Sequence, residues 1–267
     1  MVKLFIDPGH GGSDPGAVAN GLQEKNLTLS IAIALRDYLT SHYQDISIRM
    51  SRTSDQSIAL SERTRMANQW GADFYLSIHI NAGGGVGFES YIWNRQFTNK
   101  SRTQQLRSTI HQAIIRQTDW RDRGQKEANF HVLRETTMPA ILTENGFIDH
   151  QEEARSMRKS NWIDQVAEAH AIGIAEAFHL KTNTAPPTQN GQTLYRVVAG
   201  SFIHERNARE QINALQNKGY DSYVLPYREQ NQTYFRVVAG AFNQRSNAEN
   251  RLKALKNDGF DGFIVVV

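Results

Sequence analysis

Three polar segments end apolar stretches in the first 150 residues, and each contains a side chain that can bind a metal or move a proton. They read DPGHGG at residues 7–12, SIHINA at 77–82 and LTENGF at 142–147. The apolar stretches before them are typical of strands, and the carboxyl ends of strands form the ligand crevice of an open α/β sheet. We therefore expect His10, His79 and Glu144 to lie close together in space.

Glu24 opens the first predicted helix directly after a glycine-rich loop, which places it at the same edge as His10. Two histidines, one glutamate and a water molecule form an established catalytic zinc site. The residues thus suggest His10, Glu24 and His79 as metal ligands. Glu144 would be the general base that acts on the water, and Asp7 would orient a ligand imidazole.

Each of these residues also has a purely structural interpretation. His10 could cap a turn, and His79 could be a satisfied core histidine on a buried strand. Glu24 could stand at a helix N-terminus because the macrodipole favours an acidic residue there. Glu144 is harder to explain in this way, because a carboxylate that ends an apolar strand costs free energy unless it is paired or used.

The first 180 residues alternate strand and helix patterns, which predicts an α/β domain with helices on both faces of a sheet. Strands are predicted over residues 3–6, 46–50, 74–80, 90–93 and 139–143. Helices are predicted over residues 27–38, 61–70, 106–114 and 162–178. This three-layer domain would deliver the candidate residues to one edge.

The C-terminal part contains an internal repeat. RVVAGSF at residues 196–202 returns as RVVAGAF at 236–242, and the offset holds through the following residues. Each repeat, over 194–227 and 234–267, has the pattern of a strand, a helix and a second strand. One such unit is too small for a core of its own, so the two together predict a single ferredoxin-like β-α-β-β-α-β domain.

These patterns divide the chain into a domain over residues 1–180, a linker over 181–192 and a small domain over 193–267. The linker segment is polar, contains two prolines and lacks periodicity. The chain has no cysteine, which excludes disulfides and thiolate metal sites. A metal here would need histidine or carboxylate ligands.

Bulk properties describe an ordinary globular chain, with 39% hydrophobic and 21% charged residues. Its net charge is +3, and the last 77 residues hold ten basic and seven acidic side chains. This mild excess suits an anionic partner or a plain solvated surface. No stretch has the length of a bilayer span or of a signal core. We expect synthesis in the cytoplasm without a signal peptide.

The ordered set of motifs resembles the zinc-dependent N-acetylmuramoyl-L-alanine amidases of the type 3 class. The resemblance covers DPGHGG, Glu24, SIHINA, GFE at residues 87–89 and LTENGF. It implies zinc ligands at His10, Glu24 and His79 and a catalytic Glu144. It also implies the scissile bond, the amide between N-acetylmuramic acid and the first L-Ala of the peptidoglycan stem. DRG at residues 122–124 resembles a further family segment without an assigned role.

The repeated tail resembles the SPOR module, which implies binding to cell-wall glycan. One departure concerns Val198 and Val238, where the family often has glutamine. The combination resembles the sporulation amidases that lyse the mother cell, and a phage endolysin would have the same make-up. Action at the cell wall after release from the cytoplasm, with no membrane or nucleic-acid partner, is the resulting expectation.

Two other functions compete with the amidase. A non-catalytic wall-binding protein would lack a ligand or the base, whereas all four residues are present. The plan of the tail also suits RNA recognition modules, which stack bases on aromatic side chains. Each repeat keeps a terminal phenylalanine, Phe202 or Phe242, without the rest of that pattern.

Overall fold

The computed structural model describes residues 1–159, 162–182, 195–220, 222–229 and 232–266. The chain forms two compact units, residues 1–182 and 183–267. Beyond residue 182, the predicted linker lies outside the described residues. Within these ranges no helix has the length and apolar character that a bilayer crossing requires.

The first unit alternates strands and helices. Its strands are β1 (Val2–Pro8), β2 (Val18–Ala19), β3 (Leu22–Gln23), β4 (Ile46–Met50), β5 (Phe74–Asn81), β6 (Phe88–Trp93), β7 (Asp122–Ala128) and β8 (Ala140–Phe147). Its helices are α1 (Glu24–His42), α2 (Leu60–Trp70), α3 (Lys100–Gln117), α4 (His131–Arg134), α5 (Gln151–Met157) and α6 (Trp162–Phe178). All five predicted strands and all four predicted helices overlap an observed element.

Six strands form one mixed sheet in the order β4-β1-β5-β8-β6-β7. β4, β1, β5 and β8 run parallel to one another, which brings the carboxyl ends of β1, β5 and β8 to one edge. β6 is antiparallel to β8, so its amino end reaches that same edge. β7 then runs parallel to β6. The site edge therefore receives residues from both kinds of strand end.

Helices cover both faces of this sheet, as the sequence predicts. On one face, Ile31 of α1, Ile110 of α3 and Ile174 of α6 are fully buried in the larger core cluster. On the other face, α2 and α4 pack through a smaller cluster that contains Ala67 and Val132. Burial of these apolar side chains is the main favourable term that holds the layers together.

The second unit has the predicted β-α-β-β-α-β order. Its elements are β9 (Tyr195–Phe202), α7 (Glu205–Asn217), β10 (Tyr223–Glu229), β11 (Gln232–Phe242), α8 (Arg245–Asn257) and β12 (Phe263–Val266). The strands form an antiparallel sheet in the order β10-β11-β9-β12, the ferredoxin-like arrangement. Val197 and Val237 face the helices and pack with Leu215 and Leu255.

Candidate metal centre

The loop after β1 carries His10 in an unusual backbone conformation. His10 has a φ of 62°, in the left-handed region that few residues other than glycine adopt. The preceding Gly9 lies directly against the imidazole of His79. A Cβ atom at position 9 would come within 2.4 Å of that ring and clash with it. A glycine is therefore needed where the two histidine-bearing segments meet.

Three of the predicted residues come together at the edge of the sheet. Ligand atoms of His10, Glu24 and His79 all lie within 4.8 Å of one another. His10 Nε2 is 3.1 Å from Glu24 Oε2, and His79 Nδ1 is 3.0 Å from Glu24 Oε1. In the part of the chain that the structure describes, this is the one group of histidine and acidic residues with such spacing.

Glu24 is the buried centre of this group, at the first position of α1. Its carboxylate also accepts hydrogen bonds from the backbone N–H groups of Ala17 and Ile80, at 2.9 and 3.0 Å. Burial alone would raise the pKa of Glu24, but hydrogen bonds to the imidazoles of His10 and His79 and their charge hold this pKa well below its usual range. Glu24 is thus an ionised acceptor that can bind a cation.

Asp14 orients the imidazole of His10, a role that the sequence suggested for Asp7. His10 Nδ1 lies 2.8 Å from Asp14 Oδ2, which leaves Nε2 directed at Glu24. Carboxylates commonly fix metal-binding histidines in this way. The prediction for Asp7 is wrong, because Asp7 binds Ser51 and Arg63 and no imidazole.

Two buried arginines hold the loop that carries His10. Arg63 donates to the backbone oxygens of Pro8 and His10, at 2.8 and 2.7 Å, and pairs with Asp7 at 2.7 Å. Arg52 donates to the oxygen of Gly9 at 2.8 Å. Both side chains therefore donate to backbone carbonyl groups of the loop and restrain its left-handed conformation. No periodicity or motif in the sequence indicates this function of the arginines.

Glu144 lies one strand away from the group, on β8. Its Cα pairs with that of His79 across the parallel β5–β8 ladder. The Glu144 Oε2 atom is buried and has no hydrogen-bond partner among the described residues. Burial, together with the nearby charges of Glu24 and Glu89, raises the pKa of Glu144 well above its usual range. The Glu144 carboxyl group is therefore suited to carry a proton.

Glu89 is a second buried carboxylate at this edge, and it has the opposite environment. On the antiparallel β6 it stands opposite Glu144. Its carboxylate accepts hydrogen bonds from Asn81 Nδ2 and the Tyr91 hydroxyl, both at 2.7 Å. The sequence places Glu89 in the GFE motif without a role, because the direction of β6 cannot be read from its pattern.

Two cations complete the environment of Glu89. Arg123 Nε donates to Glu89 Oε2 at 2.9 Å, and Lys126 Nζ binds the same oxygen. Burial by itself would raise the pKa of Glu89, but these donors outweigh it and hold the pKa below its usual range. Arg123 and Lys126 lie on β7, so the DRG segment reaches the site through this strand.

A further histidine cluster lies behind the sheet edge. His111 Nδ1 is 2.8 Å from Ser90 Oγ, and His111 Nε2 is 2.9 Å from Asp122 Oδ1. These residue types form the nucleophilic triad of many hydrolases. Ser90 and His111 are each only 1% exposed, however, and no substrate reaches a hydroxyl in that position. His111 is therefore a structural residue.

Similarity to known proteins adds an independent line of evidence. The sequence profile of the N-acetylmuramoyl-L-alanine amidase family matches residues 4–176, which include the whole candidate centre. The chain belongs to this amidase family. The amidase is 52% identical to the sporulation-specific N-acetylmuramoyl-L-alanine amidase of Bacillus subtilis, over 84% of this chain and 85% of the relative.

Other relatives agree with this assignment. The endolysin of Bacillus phage SPP1 is 45% identical over 68% of each chain. The crystal structure of an N-acetylmuramoyl-L-alanine amidase from Clostridium difficile is 36% identical, with a TM-score of 0.63 over 67% of this chain and 97% of that one. The amidase thus cleaves the amide between N-acetylmuramic acid and L-alanine in peptidoglycan.

The C-terminal unit has its own family match. The SPOR domain profile matches residues 164–226 and 191–266 of the amidase. Val198 and Val238 stand where the SPOR family often has glutamine, and the structure shows where these two side chains lie. The two valines pair across β9 and β11 and are 1% and 0% exposed. They therefore fill space within the described part of the domain rather than stand free on its surface.

Proposed function

We propose that His10, Glu24 and His79 bind a zinc ion and that Glu144 is the general base of the amidase reaction. The observation that carries this proposal is the convergence of the three side chains within 4.8 Å. Two imidazoles and a carboxylate are the ligand set of several catalytic zinc sites. The exclusion of thiolate ligands by the absence of cysteine agrees with this choice.

The donor atoms fit such an ion. Glu24 lies between the two imidazoles at hydrogen-bond distance, so either a proton or a cation must separate each nitrogen from the carboxylate. The side chains of His10 and His79 are 24% and 19% exposed, which leaves the group open on one side. A catalytic metal site needs such an open position for water and substrate.

A zinc ion in this position would polarise the scissile carbonyl and acidify the attacking water. Glu144 removes a proton from that water and later delivers it to the leaving amine of L-alanine. Burial and the charges of Glu24 and Glu89 raise the pKa of Glu144, the direction that makes a carboxylate a stronger base. Asp14 keeps His10 in the orientation that binds the metal.

The test measures free L-alanine amino groups released from purified sacculi. We expect release that stops with a zinc chelator and returns with added Zn²⁺. Glu144→Gln should lower turnover about 10²- to 10⁴-fold, the usual contribution of general base catalysis, while the protein still binds zinc. Release that is insensitive to the chelator would refute the zinc site. Equal turnover in Glu144→Gln would refute the role of the base.

We further propose that the C-terminal domain binds cell-wall glycan through the sheet face opposite its helices. Arg236 stands over the ring of Tyr227 on this face, 3.4 Å from the ring centroid. A planar, cation-bearing aromatic surface suits stacking on sugar rings and attraction to an anionic wall. RNA, which also stacks on aromatic side chains, remains the competing ligand.

Cosedimentation of the full-length Glu144→Gln protein with sacculi, at matched salt with and without competing single-stranded RNA, tests this proposal. We expect binding that RNA does not displace and that Tyr227→Ala weakens several-fold. Displacement by RNA would favour the competing ligand. We infer a place at the cell wall during mother-cell lysis, because the sporulation-specific relative aligns over 84% of the chain, more than the first unit contains, whereas the endolysin aligns over 68%.

A further inference from the structure

Arg123 lies beside the candidate metal centre with part of its hydrogen-bonding capacity unused. Its Nε donates to Glu89 at 2.9 Å, and its guanidinium lies 4.7 Å from the ring centroid of Phe147. Among the described residues, its two terminal nitrogens have no hydrogen-bond partner. The side chain is 29% exposed. The terminal edge of the guanidinium is therefore held in place and accessible.

The surroundings of Arg123 fix its orientation. Glu89 is only 3% exposed and is held by four donors, so it is a rigid anchor. The ring of Phe147 adds a cation–π contact to the guanidinium. Lys126 binds the same carboxylate oxygen and is 37% exposed, so two cations share the Glu89 carboxylate. With Nε anchored on Glu89, the two terminal nitrogens of Arg123 are preorganised to bind a carboxylate in a bidentate way.

Sheet register gives the distance to the metal centre. Glu89 pairs with Glu144, and Glu144 pairs with His79 on the next strand. Neighbouring strands lie about 4.8 Å apart, so the backbones of His79 and Glu89 are roughly 10 Å apart. An extended peptide covers about 3.3–3.6 Å per residue. A group two to three residues along a peptide from the scissile amide can therefore reach Arg123.

We propose that Arg123 is a specificity-determining residue that binds a free carboxylate of the stem peptide, near its second residue. The proposal rests on the function proposed for the neighbouring centre, since it assumes that the scissile amide lies at His10, Glu24 and His79. Arg123 would then select stems whose second residue carries a free α-carboxylate over stems in which that group is amidated. Lys126 adds charge attraction without the directional fork.

The experiment measures binding of two free peptides by calorimetry at physiological salt. One is the stem tripeptide L-Ala-D-Glu-L-Lys, joined through the glutamate side chain so that its α-carboxylate is free. The other is the same peptide with that carboxylate amidated. We expect the native protein to bind the acid roughly 10- to 100-fold more tightly, as a charge-assisted hydrogen-bonded pair provides.

Arg123→Gln should remove this preference and leave the affinity for the amide unchanged. Arg123→Lys, which keeps a cation for Glu89 but lacks the fork, should retain a smaller preference. The matched control is Arg116→Gln on α3, whose side chain pairs with Glu176 and which should behave like the native protein. If Arg123→Gln fails to fold, the lysine variant and the native protein still test the proposal.

Three results would overturn it: equal affinity of the native protein for both peptides, a preference that survives in Arg123→Gln, or an equal loss for both peptides. The last result would indicate a structural role. Peptide binding requires no turnover, so the two proposals fail separately. Selective binding without zinc-dependent release would refute the proposed function alone, and release without selective binding would refute the role of Arg123 alone.

Discussion

The His10–Asp14 pair and the His111–Asp122 pair have nearly the same nitrogen–oxygen distance, 2.8 Å from His10 Nδ1 and 2.9 Å from His111 Nε2. They differ in the second nitrogen of each ring. That of His10 faces Glu24 at a partly exposed edge, whereas that of His111 binds the buried Ser90. One histidine–aspartate pair thus belongs to the candidate reaction centre, the open cluster of His10, Asp14, Glu24, His79 and Glu144. The other belongs to a structural network, the closed cluster of Ser90, His111 and Asp122, of which Asp122 alone is exposed.

Two properties therefore distinguish a candidate site from a structural contact: access for solvent and substrate, and a side-chain atom whose hydrogen-bonding capacity is unused. In the open cluster, Glu144 keeps a buried oxygen without a hydrogen-bond partner in the described chain, a costly state that the fold maintains at the edge. In the closed cluster, both nitrogens of His111 have partners, and its ring packs 5.0 Å from that of Phe88. Satisfied polar groups in such a place stabilise the fold.

Removing the aspartate of each cluster should change zinc affinity in the open cluster alone, and this is the largest expected difference between the two clusters. Asp14→Asn should weaken zinc binding about 10- to 100-fold, because the carboxylate that orients His10 is lost. Asp122→Asn removes the matching carboxylate of the closed cluster and should leave zinc affinity unchanged. Competition with a chromophoric chelator measures both. Equal affinities in Asp14→Asn and the native protein would show that the pair at His10 does not act on a metal.

Much of the open cluster can be predicted from the sequence. Polar residues that end apolar strands meet at one edge of a parallel sheet, and this rule alone puts His10, His79 and Glu144 side by side. Glu24 follows from its position at a helix start. The structure brings these four side chains together, while their roles as ligands and base stay predictions until a metal and turnover are measured.

The rest of the site depends on information that local patterns lack. The alternation of β6 predicts a strand but not its direction, and only the antiparallel direction brings Glu89 to the edge. β7 is polar and has no alternation of apolar residues, so its pattern predicts no strand over 122–128 and gives Arg123 no role. Asp14 carries no signal of its own, because its bond to His10 depends on the left-handed turn between them.

The smaller expected effect concerns stability, and it belongs to the closed cluster. His111→Gln should lower the free energy of unfolding of the first unit by about 1–3 kcal/mol, because buried hydrogen bonds lose a partner. Turnover of the folded enzyme should be unchanged. Urea denaturation in the presence of a chelator measures the effect. Tryptophan fluorescence reports the first unit alone, since all four tryptophans lie in it; they are Trp70, Trp93, Trp120 and Trp162.

The same variant should change the pH dependence of stability. Burial lowers the pKa of His111 below its usual 6.5 despite the bond to Asp122. As the pH falls below about 6.5, the unfolded chain takes up a proton before the folded one does, so the contribution of His111 is lost progressively. The native protein should therefore lose stability with acid more steeply than His111→Gln. Equal slopes, or a loss of turnover that matches the loss of stability, would show that the closed cluster is not a purely structural network and would remove its contrast with the open one.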